Sequence, residues 1–193
     1  GFEYSSIMIV EGKTLCMKEQ RGYSKRLSLT LPLEGDKGIT VRVARKTRSI
    51  LVRDVKRDKA YVQGGKGIRS ELAVPIKAGN KILGVLNVES KRIAAFIEED
   101  RKLLEILASH AATAISNLKR QGKLSAINGY GRSLNKTRNA DEIYRLTLNA
   151  MQMVLGFKFV DIFLVEGKKL KLVATRGLSK STAVSLPLDG RKG

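Results

Sequence analysis

Near each end of the chain, a short run rich in Ile, Val, Phe and Leu leads into Glu-Gly-Lys and resumes beyond it. Such runs flanking Glu11-Gly12-Lys13 and Glu166-Gly167-Lys168 predict two β-hairpins, because Gly supplies the positive φ of a tight turn. The hairpins are copies. Residues 1–38 align without a gap with 156–193 at a constant offset of 155, and 18 of 38 positions are identical. Arg21-Gly22 matches Arg176-Gly177, and Leu31-Pro32-Leu33 matches Leu186-Pro187-Leu188. A repeat whose period is about one domain predicts a tandem array of one α+β module. The chain then holds two first hairpins and one set of later strands. The surplus hairpin is expected to be exposed, to pair with a second copy, or to swap, placing 156–193 against 39–119 of a partner.

Between the copies the pattern changes twice. Residues 40–48 suit a short helix, and Ile50 to Val55 a short strand. Ser70 to Lys77 and Lys81 to Glu89 predict a second hairpin, with Pro75 at an edge or bulge position. A long helix begins near Phe96. Its apolar positions Leu104, Leu107, Ala111, Ala114 and Leu118 recur at spacings of three and four, which predicts one seam for a dimer contact. Gly122, Gly129 and Gly131 predict a bend or break after that seam. Asn139 with Glu142 predicts a capping box for a last helix reaching Leu155.

Composition narrows the chemistry. With 42% hydrophobic residues, the 193-residue chain can bury a core. One cysteine, Cys16, excludes a disulfide framework and a Cys-based zinc site, and one histidine, His110, argues against a His-rich site. Neither a metal nor a cofactor is expected. No signal peptide or apolar run of about 20 residues is visible, so no membrane contact and a cytoplasmic location are expected. The net charge is +19. Between Asp36 and Arg69, eleven Lys or Arg face three Asp, a local excess of +8. Such an excess steers anions.

The segment Arg69-Ser70-Glu71-Leu72-Ala73-Val74-Pro75-Ile76 is followed by Gly84-Val85-Leu86-Asn87-Val88-Glu89-Ser90 and by Ala95-Phe96-Ile97-Glu98-Glu99-Asp100. With Leu103-Leu104 and an Ala-rich helix to Asn117, this series resembles the bacterial and archaeal GAF domain over nearly all of 1–119. The resemblance implies an α+β fold: an antiparallel sheet of about six strands flanked by helices, with a long linker helix into a second, incomplete copy. Residues 1–119 would be a GAF-like domain lacking its leading helix. Residues 120–193 would be the linker helix and the first half of a second domain.

The resemblance also implies a ligand pocket between one sheet face and segment 40–70. Family members are small-molecule sensors and dimerisation modules of signal-transduction proteins. Their cyclic-nucleotide branch carries an Asn-Lys…Phe…Asp-Glu motif that braces the fold near the pocket. Asn87, Phe96 and Asp100 match it, but Val88 follows Asn87 and Arg101 follows Asp100, which speaks against cyclic nucleotides. Members that reduce free methionine sulfoxide use several cysteines, and this chain has one.

No catalytic set emerges. Cys16 has no neighbouring base in sequence, and His110 lacks the residues expected beside a phospho-accepting histidine. Gly64-Gly65-Lys66-Gly67 lacks the spacing of a phosphate-binding loop. The first reading is therefore a non-catalytic sensory and dimerisation module. An anionic ligand is expected among Val43, Ile50, Asp54, Tyr61, Ser70 and Leu72, with Arg42 and Arg69 as its anion partners. A second reading is a purely structural dimerisation module with an empty pocket. A third is a basic nucleic-acid-binding module, which 5% aromatic content and the absence of Trp disfavour.

Overall fold

The computed structural model describes residues 2–23, 28–177 and 185–188. The chain forms two compact units, Gly1–Asn117 and Leu118–Gly193. The first hairpin pairs β1 (Tyr4–Glu11) with β2 (Thr14–Arg21), and β3 (Thr30–Pro32) adds to β2. Helix α1 (Ile39–Lys46) follows, then β4 (Ile50–Val52) and a 3-10 turn at Val55–Arg57. The second hairpin is β5 (Ser70–Ala78) with β6 (Lys81–Ser90). Together they make one six-stranded sheet in the order β3-β2-β1-β6-β5-β4, with each neighbouring pair antiparallel.

Alternation along the central strands gives the sheet two apolar faces. Met8, Leu15, Ala73 and Val85 meet Ile39, Val43 and Ala44 of α1 on one face. Leu72, Val74, Ile76 and Val88 meet Phe96 and a second helix, α2 (Glu98–Leu134), on the other. The strand expected over 50–55 stops at Val52, because the Asp54 carboxylate caps the 3-10 turn by accepting from the Lys56 N–H. Pro75 lies on β5 beyond the stretch Glu71–Ala73 that β4 covers, so one side of it has no neighbouring strand, the kind of position that tolerates proline.

One expectation for the long helix is corrected. It runs through Gly122, Gly129 and Gly131 without a break. Each glycine costs a helix interior about 1 kcal/mol relative to alanine, which an already nucleated helix can absorb. The expected seam also divides. Leu104 is buried against the sheet, in line with Ala108 and Ala112, and Ala111 packs beside them. Leu107, Ala114 and Leu118 are exposed. Contact with a flat sheet selects positions four apart, whereas a coiled-coil seam alternates three and four. On α2 in the first unit, Leu107 forms an exposed apolar stripe with Leu103 and Ile106.

The second unit contains helix α3 (Ala140–Met153) and a three-stranded sheet, β7 (Val160–Glu166), β8 (Lys169–Arg176) and β9 (Ser185–Pro187), in that order. Its hairpin reproduces the register of the first, including a bulge between Ile162 and Phe163 where β1 has one between Ile7 and Met8. Asn139 caps α3 through the N–H groups of Asp141 and Glu142. The return half of the expected capping box is relayed: Thr137 donates to Glu142 and accepts from the Asn139 N–H. Asn139→Ala is expected to cost about 1 kcal/mol, read as a lower urea midpoint with an unchanged slope.

Candidate functional site

The face of the sheet beneath α1 is apolar except where β5 meets β6. There the register sets Glu71 opposite Glu89, with Asn87 two residues before it on the same face. All three are buried. They line a small cavity of about 20 Å³ whose other walls come from β1, β2, β3, α1 and the segment around Val62 and Gly64. Tyr23 closes one side, donating its hydroxyl to Glu89 Oε2 at 2.7 Å, while its ring packs against Gly65 and the Tyr4 ring. Asn87 Oδ1 has no hydrogen-bond partner. Ser6 Oγ faces the Tyr23 hydroxyl without a hydrogen bond of normal geometry.

The electrostatics of this cavity are those of crowded acceptors. Burial pushes the Glu71 carboxyl well above its ordinary range, and the nearby Glu89 and Asp58 add to the effect while Arg42 opposes it. Burial also raises Glu89, partly offset by the hydrogen bond from Tyr23. Tyr23 is in turn raised, by burial first and by the Glu89 charge next. An ionised carboxylate without a cation is costly in such a place, so a proton or a ligand donor is favoured there.

None of the eight residues expected to bind a ligand lines this cavity. Val43 is fully buried in the core under α1, and Tyr61 packs at its margin. Leu72 faces α2 on the opposite side of the sheet. Ser70 donates to the Arg92 carbonyl at 2.7 Å, a structural tie between β5 and the loop after β6. Arg42, Ile50 and Asp54 line an open groove beside β4. Arg42 is spent on Asp58, and Arg69 holds Asp54 through two hydrogen bonds of 3.2 and 3.0 Å. The Arg69 guanidinium keeps the Asp54 carboxyl below its usual value, helped by the Lys56 N–H and opposed by desolvation.

Of the bracing motif, Phe96 is in the α2 core and Asp100 accepts from the Ile97 N–H at 2.9 Å, while Asn87 belongs to the cavity. The signal for the cavity lay in the strand alternation: Glu71 shares a face with Ala73, and Asn87 and Glu89 share one with Val85. Charge density in the sequence points to segment 40–70 instead. Its cations lie mostly at the surface or in ion pairs.

Residues 1–116 match the profile of the GAF domain. The chain belongs to the GAF domain family. Solved GAF folds agree with its architecture. The GAF domain of a phosphoenolpyruvate-protein phosphotransferase from Coxiella burnetii superposes with a TM-score of 0.58 at 21% identity, covering 63% of this chain and 76% of that one. The corresponding GAF domain from Acinetobacter gives 0.54 at 21% identity, covering 60% and 72%. A type II free methionine-R-sulfoxide reductase from Thermoplasma acidophilum gives 0.54 at 22% identity, covering 58% and 77%. No curated protein matches the chain. Among the described residues, no acidic, Cys or His cluster suits a metal ion, and no helix is long and apolar enough to cross a membrane.

Proposed function

We propose that this GAF chain is a non-catalytic, ligand-sensing and dimerisation module of a signalling protein, and that its ligand binds in the cavity under α1 through a group rich in hydrogen-bond donors. A primary ammonium fits that description. The observation that carries this reading is the buried pair Glu71 and Glu89 beside the unpartnered Asn87 Oδ1. Acceptors collected in a buried place are complementary to a cation or a multiple donor. The anionic ligand expected from net charge finds no such support, because Arg42 and Arg69 serve Asp58 and Asp54.

A cavity of about 20 Å³ has room for one water. A larger ligand therefore has to lift its cover, the contact of Tyr23 with Gly64 and Gly65. Binding would then select a second arrangement of that cover, which is the requirement for a sensor. The exposed stripe Leu103, Ile106 and Leu107 supports a homodimer through α2. The matched registers of the two hairpins support a tandem arrangement. Against a reductase like the Thermoplasma neighbour stands the surrounding of Cys16. Its thiol has the Thr14 and Thr30 hydroxyls at 3.4 and 3.9 Å, and neither can act as its base.

The test is a melting-temperature screen of the whole chain against free amino acids and small amines, with carboxylates and nucleotides at matched ionic strength. A rise with amines that vanishes in Glu71→Gln is expected. A rise confined to carboxylates or nucleotides would overturn the reading.

A further inference from the structure

The sheet of the first unit ends at β4, which is three residues long and pairs with β5 only over Glu71–Ala73. The remainder of β5, to Ala78, has no strand on that side. Two grooves open along this edge. One, of about 560 Å³, lies between Thr47–Ser49, the free end of β5 and α2, and is lined by Arg48, Pro75 and Lys77 among others. The second, of about 980 Å³, runs along β4 itself past Arg53, Lys59 and Ile93. The half-buried Ile50, Leu51 and Val52 of the edge line this second groove.

The net charge along this line is positive. Asp54 and Asp58 in the second groove are held by Arg69 and Arg42, and Glu105 in the first by Arg101 and Ser49. Arg48, Arg53, Lys59 and Lys77 are exposed. An edge strand presents backbone donors and acceptors that only another backbone can continue. Short length and flanking cations normally discourage this pairing between like chains. For a chain of opposite charge the same cations are attractive.

We infer that this edge is a docking site for an acidic, extended peptide segment of a partner protein. The peptide adds a strand beside β4, its carboxylates reach Arg53 and Lys59 at one end and Arg48 and Lys77 at the other, and its apolar side chains lie near Ile50 and Ile93. Peptide capture by strand addition draws affinity from main-chain bonds and selectivity from alternate side chains. A nucleic acid could satisfy the cations but not the strand edge.

The experiment uses the whole chain and a fluorescent octapeptide of alternating Glu and Val, followed by anisotropy. Binding is expected to weaken at least tenfold for a Lys-Val counterpart. It should weaken as strongly for Glu-Val peptides N-methylated at every second residue in at least one of the two registers, since methylation removes the donors of one peptide edge and keeps the charge. The double substitution Arg53→Glu and Lys59→Glu should also cost tenfold or more, with the melting temperature unchanged. Failure of the acidic peptide to bind, equal binding of both N-methylated forms and the parent, or equal binding of an oligothymidylate of the same charge would each overturn the inference. Separately, Lys77→Glu should weaken binding without touching β4 and so gives a second reading should the double variant melt early.

Discussion

Gly84→Ala is expected to be among the most damaging single substitutions in the first unit. Gly84 sits in β6 opposite Ile9 of β1, and a β-carbon there would collide with the Met8 carbonyl and crowd the Ile9 side chain. The obstacle is backbone, so no rotamer change relieves it. β1 and β6 would have to separate at the centre of the sheet, which joins the first hairpin to the second. The expected loss is about 3 kcal/mol or more, against a typical domain stability of about 5–15 kcal/mol. Denaturant unfolding should show a large drop in midpoint, or no folded baseline at all. A Gly84→Ala chain that melts like the parent would mean the β1–β6 register is wrong. Gly22 presents a related demand: it has φ +91°, and a β-carbon there would strike the Glu3 carbonyl. Its repeat partner Gly177 meets the Lys158 carbonyl in the same way, at φ +92°. This close approach is why the Arg-Gly dipeptide recurs in both copies.

Glu71→Gln should have the opposite effect on stability and a ruinous one on ligand binding. The folded chain raises the Glu71 carboxyl by burial above its ordinary 4.5, so it holds that proton more tightly than the unfolded chain does. The stability this contributes is present below the unfolded value and is lost as pH rises through the folded one. Glutamine is a neutral mimic of the protonated acid. The variant and the parent should therefore have similar stability near pH 4, and the variant should gain steadily toward pH 8, by on the order of 1 kcal/mol or more. Urea midpoints measured across that range would check it. Equal stability at pH 8 would show that Glu71 ionises there without penalty. The same change removes an acceptor from the cavity, so any amine response should disappear. More stability with less binding is the expected signature of a site whose charge is kept for a ligand.

The structure places the expected ligand residues apart from the cavity for a reason seen in particular residues. Arg42 and Arg69 read as anion partners in sequence because charge is visible there and pairing is not. Asp58 is 16 residues from Arg42 and Asp54 is 15 from Arg69, and only the turn after β4 brings them together. Leu72 is expected in the pocket from sequence. The pleat sends it to α2, while Glu71 goes to the cavity.

What the sequence determines by itself is local and periodic. Alternation and Gly-containing turns specify the hairpins, and the Asn139 cap starts α3 where expected. The repeat at an offset of 155 foretells the matching registers of β1–β2 and β7–β8, because equal side-chain patterns and equal glycines impose equal pairing. Tertiary structure decides what depends on neighbours distant in the chain. It chooses which helix stripe meets the sheet, Leu104, Ala108 and Ala112, since a broad apolar helix can present more than one face. It also sets Glu71 against Glu89 across two strands and roofs them with Tyr23, turning ordinary acidic residues into a buried acceptor pair. That juxtaposition exists only after folding, because desolvation is a property of the packed surroundings and not of any residue type.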